Sequence, residues 1–403
     1  MSMFSMVRKD INWFVRLLIT TSLVAYPVAS KQTFNQAIQQ LSIQHKPIIL
    51  KQGKSRAAVL AEFQGRVMVT SADGELGQTL GWSNFEYLAT PNTDNNSVTG
   101  GASRLWFGPE TGPYSVFFKP GKPRTVNNIQ VQDAVSLQPF TLIAQSDSVA
   151  NFKQNISIQN HFGFTFELSV ERKIELFAAT KIAENLSIDL DDNLSVVGFS
   201  ARTEITNISQ HDWRKGTGLL SIWELGAFEP SDTTVIFIPI KGQLAEVTSY
   251  FTPTKTSHAQ IKNGVVYYKA DAHYMNKIGI PAANATDLMG SYDKTAKLLT
   301  IFEFQLNSAN ELYNNSVWYE ENYHPYKGDV INVFNDGLVD GEGPFGPFYE
   351  LETSSSAREL KVGQSQQHFQ NTYHFQGDEK HLNKITKKLF GLSLNTALTV
   401  FSD

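Results

Sequence analysis

Residues 155–176 read "NISIQNHFGFTFELSVERKIEL", and apolar side chains occupy alternate positions through most of the run. Successive side chains of a β-strand point to opposite faces, so this spacing specifies strands with one apolar and one polar face. The "HFG" at 161–163 breaks the run into two strands joined by a turn. The same texture extends outward in both directions. "AAVLAEFQGRVMVTSADG" holds two apolar runs, 57–63 and 67–71, broken at "QG", and "YSVFFKPGKP" reads as a strand stopped by Pro and Gly. "LSVVGFSARTEITN", "GLLSIWELGAF", "TTVIFIPI", "GVVYYKADA", "LLTIFEFQL" and "GPFGPFYELETSSSARELKVG" continue the pattern, with Gly, Asn, Asp and Pro clusters at the turns. Helical spacing occurs at the two ends only. Phe34, Ile38 and Leu41 in "TFNQAIQQLSIQ" predict a short N-terminal helix ended by Pro47, and "EKHLNKITKKLFGLSL" predicts a C-terminal one.

Many short strands without alternating helices specify an all-β sandwich or barrel of antiparallel sheets. With 403 residues, 41% hydrophobic and only 18% charged, the chain can bury a large core. It contains no Ser/Gly run, Pro-rich hinge or charge block that would mark a linker, so one oversized domain over 31–403 is expected. The net charge of −5 lacks the basic footprint of a nucleic-acid binder, and the absence of cysteine rules out disulfides and thiolate metal sites. At the N-terminus Arg8, Lys9 and Arg16 precede the short apolar run "LLITTSLVA" (17–25) and small residues at 28 and 30. That is the layout of a secretory signal peptide over residues 1–30, with an uncleaved anchor as the alternative. A bacterial periplasmic or secreted location is therefore expected.

No G-x-S-x-G elbow or P-loop is present. The acidic "DGLVDGEG" at 336–343 lacks the order of a calcium loop, and no metal or cofactor is expected. Three stretches carry more chemistry. "TGGASRLWFGPETG" (99–112) brings Arg104, Trp106 and Glu110 behind two glycines: a planar donor, a flat apolar face and an acceptor. Hydroxyl edges of a sugar need planar polar partners, and its C–H faces need aromatic rings. The alternative is a packed tryptophan beside a surface Arg–Glu pair. "GLLSIWELGAFEPS" (218–231) puts Ser221, Trp223 and Leu225 on one strand face, and a core tryptophan is its plainer reading. In "FYELETS" (348–354), Phe348, Glu350 and Glu352 share one face and Tyr349 and Leu351 the other. Two carboxylates on one face push their pKa values apart and can divide into an acid and a base. Solvated glutamates on an edge strand are the alternative. Lys277, in "HYMNKIGI", offers a cation to a sugar site or, more simply, a solvated turn residue.

Together these stretches resemble the galactose mutarotase-like superfamily, which includes the aldose 1-epimerases. The superfamily closes on an apolar strand bearing a glutamate, a polar turn, a "leucine–x–proline–glycine–glutamate" type corner and a final strand. "YELETSSSARELKVGQSQQHFQNTYHF" follows that order, with "LKVGQ" at the corner. Glu352, in "LET", matches the epimerases' general base, and "GGASRLW" resembles their sugar-site loop. The run including "YYKADAHYMNKIGI", "GSYD" and "NDG" looks closest to a bacterial branch known only as a domain of unknown function. The likeness covers approximately residues 55–376. It implies a β-supersandwich of two large antiparallel sheets with an open ligand-binding face. It departs from the family at one point: the epimerases' acid is a histidine on a strand matched here by "LLSIWELG", with Trp223 near that place. His161, His211 and His324 match no motif. Mutarotation needs both a base and an acid, so three readings stand. The first is an epimerase-type enzyme with Glu352 as base and Glu350 or another group as acid. The second is a non-catalytic glycan-binding protein using Arg104, Trp106, Trp223 and the glutamates. The third is a cell-envelope structural or interaction domain.

Overall fold

The computed structural model describes residues 32–89, 100–125, 128–318, 323–338 and 345–402. The expected signal segment and most of "DGLVDGEG" lie outside the described residues. Numbered in chain order, the strands form three antiparallel sheets. The smallest consists of β1 (Ile48–Gln52), β2 (Ser55–Leu60) and β3 (Arg66–Ser71). The ten-stranded sheet runs β12 (Ala259–Lys262), β13 (Val265–Lys269), β10 (Thr234–Pro239), β15 (Leu288–Asp293), β16 (Leu298–Phe304), β19 (Ser365–Gln376), β8 (Ser195–Asn207), β7 (Thr165–Leu176), β6 (Val149–Gln159) and β5 (Thr141–Gln145). The six-stranded sheet runs β11 (Thr248–Ser249), β14 (Asn276–Pro281), β17 (Asp329–Asn335), β18 (Tyr349–Ser354), β9 (Ser221–Phe228) and β4 (Arg104–Gly108).

The two larger sheets pack face to face, as the sequence leads one to expect of a β-supersandwich. The "NISIQ…IEL" stretch becomes the β6–β7 hairpin, with Ile156 opposite Leu168 and Ile158 opposite Phe166. All four are buried in the inter-sheet core, whereas Ser157, Gln159, Glu167 and Glu171 face solvent. The outer face of the ten-stranded sheet is covered at its centre by helices. These are α4 (Ala179–Leu186), α5 (Glu379–Phe390) and α6 (Leu394–Thr399), which follow α1 (Phe34–Leu41), α2 (Phe85–Ala89) and α3 (Asp133–Ser136). Ile182 and Leu186 of α4 join Tyr373, Phe375, Leu382 and Ile385 in one apolar cluster. Helix α1 starts at a capping box: Thr33 Oγ1 accepts from the Gln36 backbone, and the Gln36 side chain accepts from the Thr33 N–H.

Three local expectations fail. "YSVFFK" forms no strand; Phe118 only bridges Ile129, and Phe117 and Phe118 are packed into the core as loop residues. Helix α4 was not expected because its eight residues carry only Ile182 and Leu186 as an apolar stripe. Residues 104–108 are a strand, not a loop; the loop glycines stop at Gly101.

Candidate functional site

Strand register decides which side chains meet. In the six-stranded sheet Arg104 lies opposite Leu225, Leu225 opposite Glu352, and Glu352 opposite Asn332. Trp106 lies opposite Trp223, Glu350 opposite Phe334, and Phe334 opposite Lys277. Directly paired residues of antiparallel strands share a face, as do residues two apart. Arg104, Trp106, Trp223, Lys277, Glu350 and Glu352 therefore all project from the face turned away from the ten-stranded sheet. Glu110, two residues beyond the end of β4, completes the group. The sequence-predicted residues, drawn from four separate stretches, come together.

The contacts are specific. Arg104 Nη2 donates to Glu350 Oε1 at 2.8 Å, and its guanidinium lies 4.4 Å from the centre of the Trp106 ring. Trp223 stands edge-on to Trp106, with centroids 5.4 Å apart, and its Nε1 donates to Glu352 Oε2 at 3.0 Å. Lys277 Nζ meets the same Oε2 at 2.9 Å, lies 3.7 Å from Glu110 and sits 4.4 Å above the Trp223 ring. Lys277 is thus neither in a turn nor in solvent: it is buried on β14. Glu350 and Glu352 are likewise buried on an interior strand and not solvated on an edge, and Arg104 pairs with Glu350 rather than with Glu110. Trp106 and the Glu110 side chain, the latter 22% exposed, mark the open side of the cluster.

Three carboxylates and two cations now share a site with little water. Burial pushes the Glu350 carboxyl up to about 7, with Arg104 opposing and Glu352 adding to the rise. Glu110 is also raised by burial, against the pull of Lys277. Burial alone would lower Lys277, but Glu352 and Glu110 outweigh it and hold the ammonium above its ordinary value. Two polar atoms are left over: Glu352 Oε1 and Arg104 Nε have no hydrogen-bond partner among the described residues. A buried acceptor without a partner costs about 1–3 kcal/mol, so Oε1 is left short of a bond that the described residues do not provide.

Sequence reading missed the support around this site. Tyr250, whose ring lies 5.3 Å from Lys277 Nζ, donates its hydroxyl to Asp329 Oδ2 at 3.0 Å. Trp318 hydrogen-bonds the Glu110 carboxylate. Neither aromatic stands in a motif. On the opposite face of β9, Glu224 accepts two bonds from Arg172 of β7, each of 2.7 Å. That pair had a signal: Arg172 interrupts the apolar series Phe166, Leu168, Val170, Ile174, and an arginine on a core face needs a buried partner. Of the histidines named from sequence, His161 contacts the Lys119 carbonyl and the Phe118 ring. Among the described residues no His/Asp/Glu group has the arrangement of a metal site.

Several solved structures are similar to this chain. A candidate aldose 1-epimerase from Escherichia coli K12 is 11% identical over 82% of this chain and 98% of its own, with a TM-score of 0.47. A galactose mutarotase-like protein from Lactobacillus casei is 12% identical over 82% and 100%, with a TM-score of 0.43. A galactose mutarotase related enzyme from Lactobacillus acidophilus is 9% identical over 83% and 99%, with a TM-score of 0.44. No curated protein matches the chain. Residues 32–401 match one family throughout, and the chain belongs to it: the Family of unknown function (DUF6786).

Proposed function

We propose that this protein recognises a carbohydrate at the Arg104–Trp106–Glu110–Trp223–Lys277–Glu350–Glu352 cluster and transfers a proton there in the manner of an aldose epimerase. The observation that carries the reading is the Glu352 carboxylate. Its Oε2 is fixed by Lys277 and Trp223, while its Oε1 has no partner among the described residues. A base held rigidly through one oxygen, with its other, buried oxygen left without a partner among the described residues, suits abstraction of an anomeric proton from a sugar that reaches it. Trp106 supplies an apolar face at the open side for the sugar ring. In place of the expected histidine, Glu110 and Glu350 are the candidate acids, since burial shifts both towards the neutral form. Glu110 is the more open of the two and lies across Lys277 from Glu352, so it is assigned the acid role. We further propose export through residues 1–30, from the charged, apolar and small-residue order of that segment.

The test follows anomeric proton signals of freshly dissolved hexoses with wild type, Glu352→Gln and Glu110→Gln. Accelerated interconversion by wild type and its loss in both variants is expected. Binding of sugars without any acceleration would leave the non-catalytic glycan-binding reading in its place. Neither acceleration nor binding, with folded protein, would overturn both.

A further inference from the structure

The cluster is one positive charge short. On the site face Glu110, Glu350 and Glu352 stand against Arg104 and Lys277, all in mutual contact or within one another's field. The charges packed around them do not close the deficit. Asp329 is held by the Tyr250 and Thr248 hydroxyls, and Asp336 by the N–H groups of Gly337, Phe345 and Gly346. Asp329 adds negative charge, whereas burial pushes the Asp336 carboxyl up to about 7 and towards its neutral form. Arg172 behind the sheet is matched by Glu224. Arg66, also buried and donating to the carbonyls of Gly100 and Ser136, adds one positive charge against the negative one of Asp329, and the deficit of the three carboxylates over Arg104 and Lys277 remains. Buried charge without a counter-charge is removed by protonation, so one proton resides on the three carboxylates near neutral pH. The fully buried Glu352, with Oε1 unpartnered among the described residues, points independently to a ligand at this place.

Resting on the carbohydrate reading above, we infer that the ligand is an amino sugar with a free ammonium group, which supplies the missing cation and displaces that proton to solvent. Glu110 is the least buried of the three carboxylates, its contact with Lys277 is a loose 3.7 Å, and Trp106 and Trp223 already host cations on or beside their faces. A neutral sugar leaves the proton in place and gains no ion pair. A hexuronate adds a fourth carboxylate and requires a further proton.

Calorimetric titration of the full chain with glucosamine, glucose, N-acetylglucosamine and glucuronate, at pH 7 in two buffers of different ionisation enthalpy, tests this. Glucosamine should bind roughly tenfold or more tighter than its N-acetyl form, the difference one charge-assisted contact makes. It should release close to one proton, and glucuronate should bind weakest. Glu110→Gln removes the excess charge, so it should abolish both the preference for glucosamine over glucose and the proton release. Equal or tighter binding of a neutral sugar or of glucuronate overturns the inference and leaves the carbohydrate reading standing. No binding of any of the four overturns both.

Discussion

Two buried Arg–Glu pairs lie on opposite faces of the six-stranded sheet, and they are finished to different degrees. Behind it, Arg172 and Glu224 meet through two bonds of 2.7 Å. Thr203 and the Gly65 carbonyl take further N–H groups of the arginine, and the Ser103 hydroxyl bridges both partners. In front, Arg104 and Glu350 meet through one bond, Arg104 Nε has no partner among the described residues, and neighbouring carboxylates push Glu350 further up. A pair whose hydrogen bonds are complete holds two sheets together. A pair in a set with leftover acceptors and one carboxylate too many is suited to receive something.

Breaking the finished pair should cost most. Glu224→Gln leaves a buried guanidinium without its counter-charge, and a loss of about 3–5 kcal/mol is expected in urea unfolding. Replacing both partners, Arg172→Met with Glu224→Leu, should restore most of it, because the desolvation penalty leaves with the charges. Glu350→Gln should cost clearly less than Glu224→Gln, since Glu350 already tends towards its neutral form. Equal losses at the two sites would erase the contrast.

A second effect separates neutral burial from charged burial. Gln366, His368, Gln370, Thr372 and His374 line the inner face of β19. His368 reaches Thr353 at 2.8 Å and His374 reaches Thr300 at 2.9 Å, each through one ring nitrogen. Burial depresses both imidazoles to about 3 from an ordinary 6.5. The unfolded chain then binds protons that the folded chain refuses. Stability present above pH 6.5 should fall as pH drops towards 3, by up to about 1.4 kcal/mol per pH unit for each histidine. Glutamine at both positions should flatten the acid limb of the stability–pH curve; an unchanged limb would show that these rings are not its source.

Glu350 should show the opposite sign. Its folded value, raised to about 7 from an ordinary 4.5, means the folded state holds the extra proton. The stability this contributes is complete below 4.5 and is lost as pH rises through 7. Relative to wild type, Glu350→Gln should therefore gain of order 1 kcal/mol between pH 5 and pH 8.5. A constant difference across that range would place the excess proton elsewhere in the cluster.

The strands were readable because alternation is a local property: β6, β7, β8, β9 and β18 each show it within a few residues. The convergence of Arg104, Trp223, Lys277 and Glu352 was only partly readable. Period-2 spacing placed Glu350 beside Glu352, but nothing local says that Arg104 reaches past β9 or that Lys277 reaches past β17. Those contacts depend on strand order, in which β4 and β14 enclose three strands from elsewhere in the chain. Tyr250 and Trp318 stayed hidden for the same reason, being delivered by connections without periodicity. Arg172 was visible as a break in its own pattern, yet its partner sits 52 residues away in another sheet.

The smallest effect belongs to the same charge chemistry in water. Lys153 and Glu171 face each other on the outer side of β6 and β7, 2.7 Å apart, with about half of each side chain exposed. The distance equals that of the Arg172–Glu224 bonds, so separation alone predicts equal strength. Solvent screening and the entropy of fixing two long side chains predict otherwise. A double-mutant cycle through Lys153→Ala and Glu171→Ala should give a coupling below about 1 kcal/mol that shrinks further in 0.5 M salt. The corresponding cycle through Arg172 and Glu224 should be several times larger and nearly indifferent to salt. If the exposed pair coupled as strongly, burial would not be what distinguishes the charges at the centre of this protein.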